Sequence, residues 1–555
     1  MFCIQCEQTN RSEVRGDGCR LARGVCGKTA ETADLQDVLI YLVEGISMYG
    51  ARAAKLGAYS DDVNRFVNFA MFTTLTNVNF DSDRFDKLIN EALTLRNTAK
   101  ALYKTACATA GVEPETLSGA ATWVPGLNRD DWLAHTELAN LESDKAEVGD
   151  DVIGLRVLIL YGLKGCAAYA EHAHTLGKES NEIYAGVMGY LDYLASRPTD
   201  IGELLENALG VGQLNLKVME TLDSAGTERF GHPEPTQVRT TPLRGHAILV
   251  SGHDLVDLEA ILKQTEGKNI NVYTHGEMLP ATAYPELKKY SHLVGNYGTA
   301  WQNQKDEFAA FPGAVVMTSN CLIDPFEKGY DHRIFTSGPV GWPGVTHVKN
   351  HDFTPVIEAA LAESGFAMDH VERHITNGFA HNTVMSVADQ VIDGVKQGAI
   401  KHFFVIGGCD GASPGRNYYT DFAENTPDDT VILTLGCGKF RFNSQDFGDI
   451  GGIPRLLDLG QCNDTYSAIK IAVALAEAFE CDVNDLPLSL IISWFEQKAA
   501  AVLLTLLSLG LKDIHLGPTL PPFLTPNILN ILVDKFDLKP LGDAQTDLNN
   551  ILNVA

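Results

Sequence analysis

Residues 398–411 read GAIKHFFVIGGCDG. An apolar run this short, bounded by glycines and rich in β-branched and aromatic residues, is a strand covered on both faces rather than a helix. What closes the run is Cys409. The same grammar recurs along the second half of the chain: HAILVSGHD reaches His253, NINVYTHGEM reaches Glu277 and GAVVMTSNC reaches Cys321. Beyond Cys409, VILTLGCGK reaches Cys437, LLDLGQCND reaches Cys462 and LSLIISWFEQK reaches Glu496. Helix-like segments separate the runs, and that alternation predicts parallel sheets with crossover helices.

In an open α/β sheet the carboxyl ends of the strands form the crevice where ligands bind, so these seven residues can converge from distant positions. Each has a plainer reading on its own. A buried cysteine after a strand is usually a small core residue. His253 fits a satisfied polar core group, and Glu277 or Glu496 fits a helix cap or first-turn acid. Seven coincidences argue for a shared site. Cys107, Cys166 and Cys481 lie in helical patterns without a strand end and are assigned to packing. The donor set is too large and too mixed for one structural zinc, which closes its shell with four ligands. A multinuclear iron cluster with sulfur on one side and oxygen or nitrogen on the other fits better.

Upstream, from about Thr32 to residue 222, the period is helical. Leu35, Val38, Leu39, Leu42, Val43 and Ile46 line one face of a 3.6-residue helix. Later segments such as DVIGLRVLILYGLKGCAAYAEHAHTLG continue the style, which predicts an antiparallel bundle. ERFGHPEPTQVRTTP breaks the period with three prolines. The passage TPVIEAALAESGFAMDHVERHI reads as helical and offers a second boundary near residue 370. The expected organisation is a helical domain over 1–236 and α/β domains over 237–370 and 371–555, with the strand-end site at the domain interface.

The N-terminus carries Cys3, Cys6, Cys19 and Cys26 in the spacing C-x2-C-x12-C-x6-C. A chain of 555 residues has ample core and needs no disulfide staples. No basic stretch with an apolar segment precedes Cys3, so a reducing, cytoplasmic setting is expected, where clustered cysteines are metal or redox groups. The longest apolar run, AAAVLLTLLSLGL, is too short to cross a bilayer and reads as a buried helix. Four thiolates suit an iron–sulfur cluster or zinc, and the loose second pair favours iron–sulfur. A net charge of −28, from 71 acidic and 43 basic residues, repels nucleic acid.

The segments FCIQCEQT and GVCGKTAETADLQD, followed by SGHDL, THGEMLPA, SNCLIDP, GGCDGASPGRNYYTDFA, LGCGKFRFN, DIGGIPRLLDLGQCND and SWFEQKA, resemble the hybrid cluster protein or prismane family. The likeness spans essentially the whole chain. It implies a helical N-terminal region and two Rossmann-like α/β domains, an arrangement similar to carbon monoxide dehydrogenases. It also implies a hybrid 4Fe-2O-2S cluster held by His253, Glu277, Cys321, Cys409, Cys437, Cys462 and Glu496, with Cys409 as a persulfide. For Cys3, Cys6, Cys19 and Cys26 it implies a 4Fe-4S or 2Fe-2S cluster. The spacing is that of the longer class, one residue beyond its usual eleven, and 4Fe-4S is the preferred assignment.

The activity implied is reduction of hydroxylamine to ammonia and of nitric oxide to nitrous oxide. The N-terminal cysteines would then be the electron inlet. Lys498, two residues past Glu496, is expected to sit by the cluster with a lowered pKa and to donate a proton. His275 is expected to orient Glu277. GGCDGASPGRN lacks the G-x4-G-K-[ST] order, and no G-x-G-x-x-G follows an early strand, so no nucleotide or flavin is expected on this chain. Reducing power would come from an NADH-dependent flavin and iron–sulfur reductase. Two other readings stand beside this one: a nitric oxide sensor or protein S-nitrosylating factor, and a purely structural metalloprotein.

Overall fold

The computed structural model describes residues 3–9, 18–19, 21–409, 416–521 and 523–553. The helix Ala30–Lys55 starts where the Thr29 hydroxyl accepts the Thr32 amide. Its stripe from Leu35 to Ile46 is buried. Ser82–Ala110, Asp150–Thr175, Asn181–Ala195 and Ile201–Phe230 complete the main helices of this region. Asp150–Thr175 is long and apolar enough to cross a membrane, yet 94% of its most apolar window lies inside the protein. It packs against Asn181–Ala195 and Ile201–Phe230, while Ala30–Lys55 packs against Ser82–Ala110 and Asn181–Ala195.

Among the described residues, eight strands form the first sheet: β1 Thr236–Arg239, β2 His246–Ser251, β3 Ile270–His275, β4 Leu293–Asn296, β5 Ala314–Met317, β6 Ile334–Thr336, β7 Thr346–His347 and β8 His374–Asn377. Their order is β7-β6-β5-β2-β3-β4-β1-β8, and all neighbours are parallel except β8, which runs antiparallel to β1. The second sheet uses β9 His402–Gly408 and β10 Thr430–Leu435, then, past a small hairpin of β11 Asp449–Ile450 and β12 Ile453–Pro454, β13 Leu456–Gly460, β14 Leu488–Ser493, β15 Ile514–Gly517 and β16 Leu538–Pro540. It is parallel throughout, in the order β13-β10-β9-β14-β15-β16. Both sheets are doubly wound. The direction of winding reverses between β2 and β5 in the first and between β9 and β14 in the second, which is where such sheets open a crevice.

One segment departs from its reading. Of TPVIEAALAESGFAMDHVERHI, only Thr354–Ala362 is helical. Gly365 then takes φ 66°, with its α-carbon so close to the Gly245 carbonyl that a β-carbon would lie 2.3 Å from that oxygen. The backbone pairs there instead of coiling, and β8 goes on to cover the edge of β1.

The buried run AAAVLLTLLSLGL lies largely in the helix Gln497–Ser508, which follows β14 and leaves its own sheet to pack against Asp150–Thr175 and Ile201–Phe230. Two glycines permit that approach. A β-carbon on Gly165 would meet the Gln497 carbonyl at 2.8 Å, and one on Gly212 would meet the Leu504 carbonyl at 2.1 Å. This docking fixes Glu496 and Lys498, at the start of the helix, against the helical region.

Candidate metal centre

His253, Glu277 and Cys321 follow β2, β3 and β5, while Cys409, Cys437, Cys462 and Glu496 follow β9, β10, β13 and β14. These strands lie on both sides of each winding reversal, and β13 is the edge of the second sheet. All seven residues line one internal cavity, together with Lys498, Asn320 and Trp301. The donor atoms of His253, Glu277 and Cys462 lie within 4.8 Å of one another.

The plain roles of some donors coexist with this placement. Glu496 is the N-cap of its helix and accepts the Lys498 amide at 3.0 Å through Oε2, while its Oε1 lies 3.4 Å from Asn320 Nδ2. Glu277 Oε2 accepts the Cys462 amide at 3.0 Å and lies 2.9 Å from His253 Nε2. His253 Nδ1 is held by Ser319 Oγ at 2.6 Å. That leaves His253 Nε2 between Glu277 and the Lys498 ammonium, 3.0 Å away. One ring nitrogen cannot both donate to a carboxylate and accept from an ammonium. A cation shared with Glu277 and Cys462 resolves that conflict.

Electrostatics favour the same conclusion. Burial pushes the Cys321 thiol up to about 12, with Glu496 adding to it. Burial also raises Cys409, Cys437 and Cys462; Glu277 reinforces all three, neighbouring sulfurs add to it at Cys409 and Cys437, and Lys498 and Tyr169 oppose it at Cys462. Burial also works against the Glu277 anion, but His253, Lys498 and the Cys462 amide outweigh it and hold this carboxyl below its ordinary range. Three buried sulfurs, the half-buried sulfur of Cys321 and two carboxylates around one cavity are costly as bare anions and suit a cluster of positive metal ions. The residues therefore fit a mixed-donor iron–sulfur group.

Lys498 reaches the cavity, but its expected pKa does not hold for the protein's own charges. Burial lowers it, and Cys462, Glu496, Glu277 and Cys321 more than reverse that, leaving it above an ordinary lysine. Its ammonium also donates to Asn320 Oδ1 at 2.8 Å. His275 is placed otherwise than expected. It is fully buried, with Nδ1 2.9 Å from Ser251 Oγ and Nε2 2.8 Å from Glu307 Oε2. It braces the ends of β2 and β3 from behind and does not line the cavity. Asn320, Tyr169 and Trp301 went unread in the sequence: Asn320 bridges Glu496 and Lys498, and the Tyr169 hydroxyl donates to Cys462 Sγ at 3.1 Å. The only signal for Asn320 was its place just before Cys321.

None of the eleven cysteines forms a disulfide. Cys107 and Cys166 are buried in helices, as their pattern suggested, whereas Cys481 falls just past the end of the helix Thr465–Phe479 and is half-buried. In the N-terminal segment the Cys19 amide donates to the Cys3 carbonyl at 2.7 Å, and Cys26 lies near enough to Cys3 and Cys6 to disfavour their ionisation. Burial raises the Cys3 and Cys6 thiols, and nearby Lys28 opposes it. The segment is also tied to the cavity. The Glu7 amide donates to the Phe495 carbonyl at 2.9 Å, Gln497 Nε2 to Gln5 Oε1 at 3.2 Å, and the Phe495 ring packs 4.2 Å from that of Trp301.

A crevice of sulfur, imidazole and carboxylate donors at the winding reversals of two parallel sheets defines a metallo-oxidoreductase. The chain matches the Prismane/CO dehydrogenase family over residues 1–549. It is 59% identical over 548 residues to a hydroxylamine reductase of Burkholderia lata, covering 99% of this chain and 98% of the relative. The identity is 57% over 554 residues to a hydroxylamine reductase of Acidithiobacillus ferrooxidans, covering 100% and 99%. The fold is similar to carbon monoxide dehydrogenase IV from Carboxydothermus hydrogenoformans, at TM-score 0.56 and 15% identity over 99% of this chain and 92% of that one. The chain belongs to the Prismane/CO dehydrogenase family and is an iron–sulfur oxidoreductase.

Proposed function

We propose that this protein reduces small N–O substrates, hydroxylamine to ammonia and water and nitric oxide to nitrous oxide. His253, Glu277, Cys321, Cys409, Cys437, Cys462 and Glu496 hold a 4Fe-2O-2S hybrid cluster, with Cys409 as the persulfide, and Cys3, Cys6, Cys19 and Cys26 hold a 4Fe-4S cluster. What carries the reading is the convergence of seven such donors on one buried cavity, in a chain 57–59% identical to hydroxylamine reductases. When bound, the hybrid cluster supplies electrons to the N–O bond and an iron position that takes up the substrate as a Lewis base.

The chain supplies the rest. His253, Glu277 and Glu496 provide the hard donors, leaving that side open to exchange. Lys498 holds a proton at Nζ beside them, fixed by Asn320 Oδ1. Trp301, stacked on Phe495, helps keep bulk water from the cavity. The N-terminal segment receives electrons from an NADH-dependent flavin and iron–sulfur reductase, for which Leu21 and Val25, exposed apolar residues beside Cys19 and Cys26, form a docking face. The setting is cytoplasmic, and the acidic surface excludes nucleic acid as a partner.

The test uses anaerobically purified protein. Iron and labile sulfide counts, two distinct cluster signals in electron paramagnetic resonance, and repeated turnover of hydroxylamine with a reduced viologen are the expected results. Zinc without labile sulfide would sink the proposal. A single stoichiometric reaction with nitric oxide would favour a sensor instead.

A further inference from the structure

Reduction of hydroxylamine breaks the N–O bond with two electrons and two protons, and the oxygen leaves as water. The electrons come from the donor in the function proposed above, on which this inference rests. The protons come from bulk water and need a path to this buried cavity. Two larger cavities approach it. The one reaching Cys409 and Cys462 runs along the second sheet between residues such as Val405, Leu435, Ile469 and Val502. Its lining is mostly apolar, with polar groups that include His402, Ser489, Lys512 and Asp513.

The other is a polar cleft of about 740 Å³ between the helical region and the first sheet. Glu171 and His174 line it from the helix Asp150–Thr175, and Asp257 and His351, paired at 2.8 Å, from the opposite wall. At its inner end is His172. This ring is 8% exposed, and its Nε2 has no hydrogen-bond partner in the protein. A buried ring nitrogen left without a partner is unusual and marks a place for ordered water. The ring lies 5.8 Å from that of His253, with planes 28° apart, and the Phe72 ring holds it from the other side at 5.1 Å. Behind it a small second cavity, lined by His172, His253, Gln461 and Asn463, carries the polar surface to the back of His253.

We infer that this cleft is the proton inlet of the reductase: Glu171 collects protons from the solvent, and His172 is a positioning residue that anchors the water file leading on to His253 and Lys498. Burial, with Asp254 and Glu179 nearby, raises the Glu171 carboxyl to about 8, so it can both bind and release a proton near neutrality. Glu171 is not next to any cluster donor in the chain.

The test measures proton uptake without substrate. The loaded protein is reduced anaerobically in a stopped-flow instrument, in weak buffer with a pH-indicating dye. Iron content, labile sulfide and resonance signals serve as loading controls. Glu171→Gln and His172→Phe, which keeps the ring stack and removes Nε2, should each slow uptake at least tenfold with both signals unchanged, and Glu171→Asp should restore most of the rate. Wild-type uptake rates in fully loaded Glu171→Gln and His172→Phe would overturn the inlet, as would absence of uptake in the wild type. Slowed uptake in variants of a protein that never turns over hydroxylamine would leave the inlet standing and remove the reductase reading.

Discussion

The molecule assembles metal donors in two opposite ways. At the N-terminus, four cysteines lie within the first 26 residues, on a segment whose described residues form no helix, and are only half-buried. In the cavity, seven donors are spread from His253 to Glu496 and come from two sheets, almost all of them buried. A loop of the first kind depends on its metal for shape, because folding and binding there are one event. A site of the second kind is held by strand ends whose positions the sheets dictate, so its geometry survives the loss of any one donor. The difference predicts opposite responses to ligand removal.

The largest effects come from the donors themselves. Cys462→Ser should abolish the hybrid signal and all turnover, while the N-terminal signal, the circular dichroism spectrum and resistance to protease are retained. Cys6→Ser should do the reverse. Its hybrid signal persists and a small chemical reductant still drives turnover, but the reductase partner no longer does, and protease cuts the segment around Cys19 and Cys26. If Cys462→Ser unfolds the protein, or Cys6→Ser leaves the segment protected, the contrast fails.

Next in size is the brace behind the cavity. His275→Ala leaves Glu307 without its buried partner and should cost about 3 kcal/mol, read as a shift of the urea midpoint. Burial alone would raise the Glu307 carboxyl, but His275 and the Thr299 contacts hold it below its ordinary value. A depressed carboxyl contributes stability above its unfolded pKa of about 4.3 and loses it as pH falls through the folded value. The wild type should therefore lose this increment on acidification, and His275→Ala should show a flatter acid limb.

How much of this was legible follows from the same contrast. The strand-end donors could be read because a short apolar run and its closing residue are neighbours in sequence, even for Cys321, which sits four residues past β5. Docking of Gln497–Ser508 on Gly165 and Gly212 could not, because a glycine in a helix does not say which helix will press on it. His275 was misassigned for a related reason. Its nearness to Glu277 in sequence suggested contact, but alternate residues in a strand share a face only while the strand lasts, and the chain turns into a 3-10 helix at Gly276. Asn320, His172 and Tyr169 act through partners far away in the chain, a relation carried by no local pattern.

Lys498 tests whether a charge at the centre of the buried site is chemical or structural. Lys498→Met keeps the length of the side chain and removes the ammonium. If Lys498 supplies a proton, turnover should fall on the order of a hundredfold with the hybrid signal intact. Loss of the signal would make it a structural counter-ion for the carboxylates instead.

The smallest expected effect separates cysteines that ligate from those that pack. Cys166 faces the helix Ile201–Phe230, where its sulfur lies 3.7 Å from the Val211 carbonyl, and burial holds its thiol far above neutrality. Such a group behaves as a small apolar side chain. Cys166→Ala should therefore cost about 1 kcal/mol of packing, seen as a shift of roughly 2 °C in Tm, and should leave iron content, both signals and turnover unchanged. The same size of substitution at Cys462 removes a cluster. If Cys166→Ala altered either signal, burial and strand-end position would not be enough to tell a ligand from a core residue, and the assignment of every donor after a strand would have to be tested one by one.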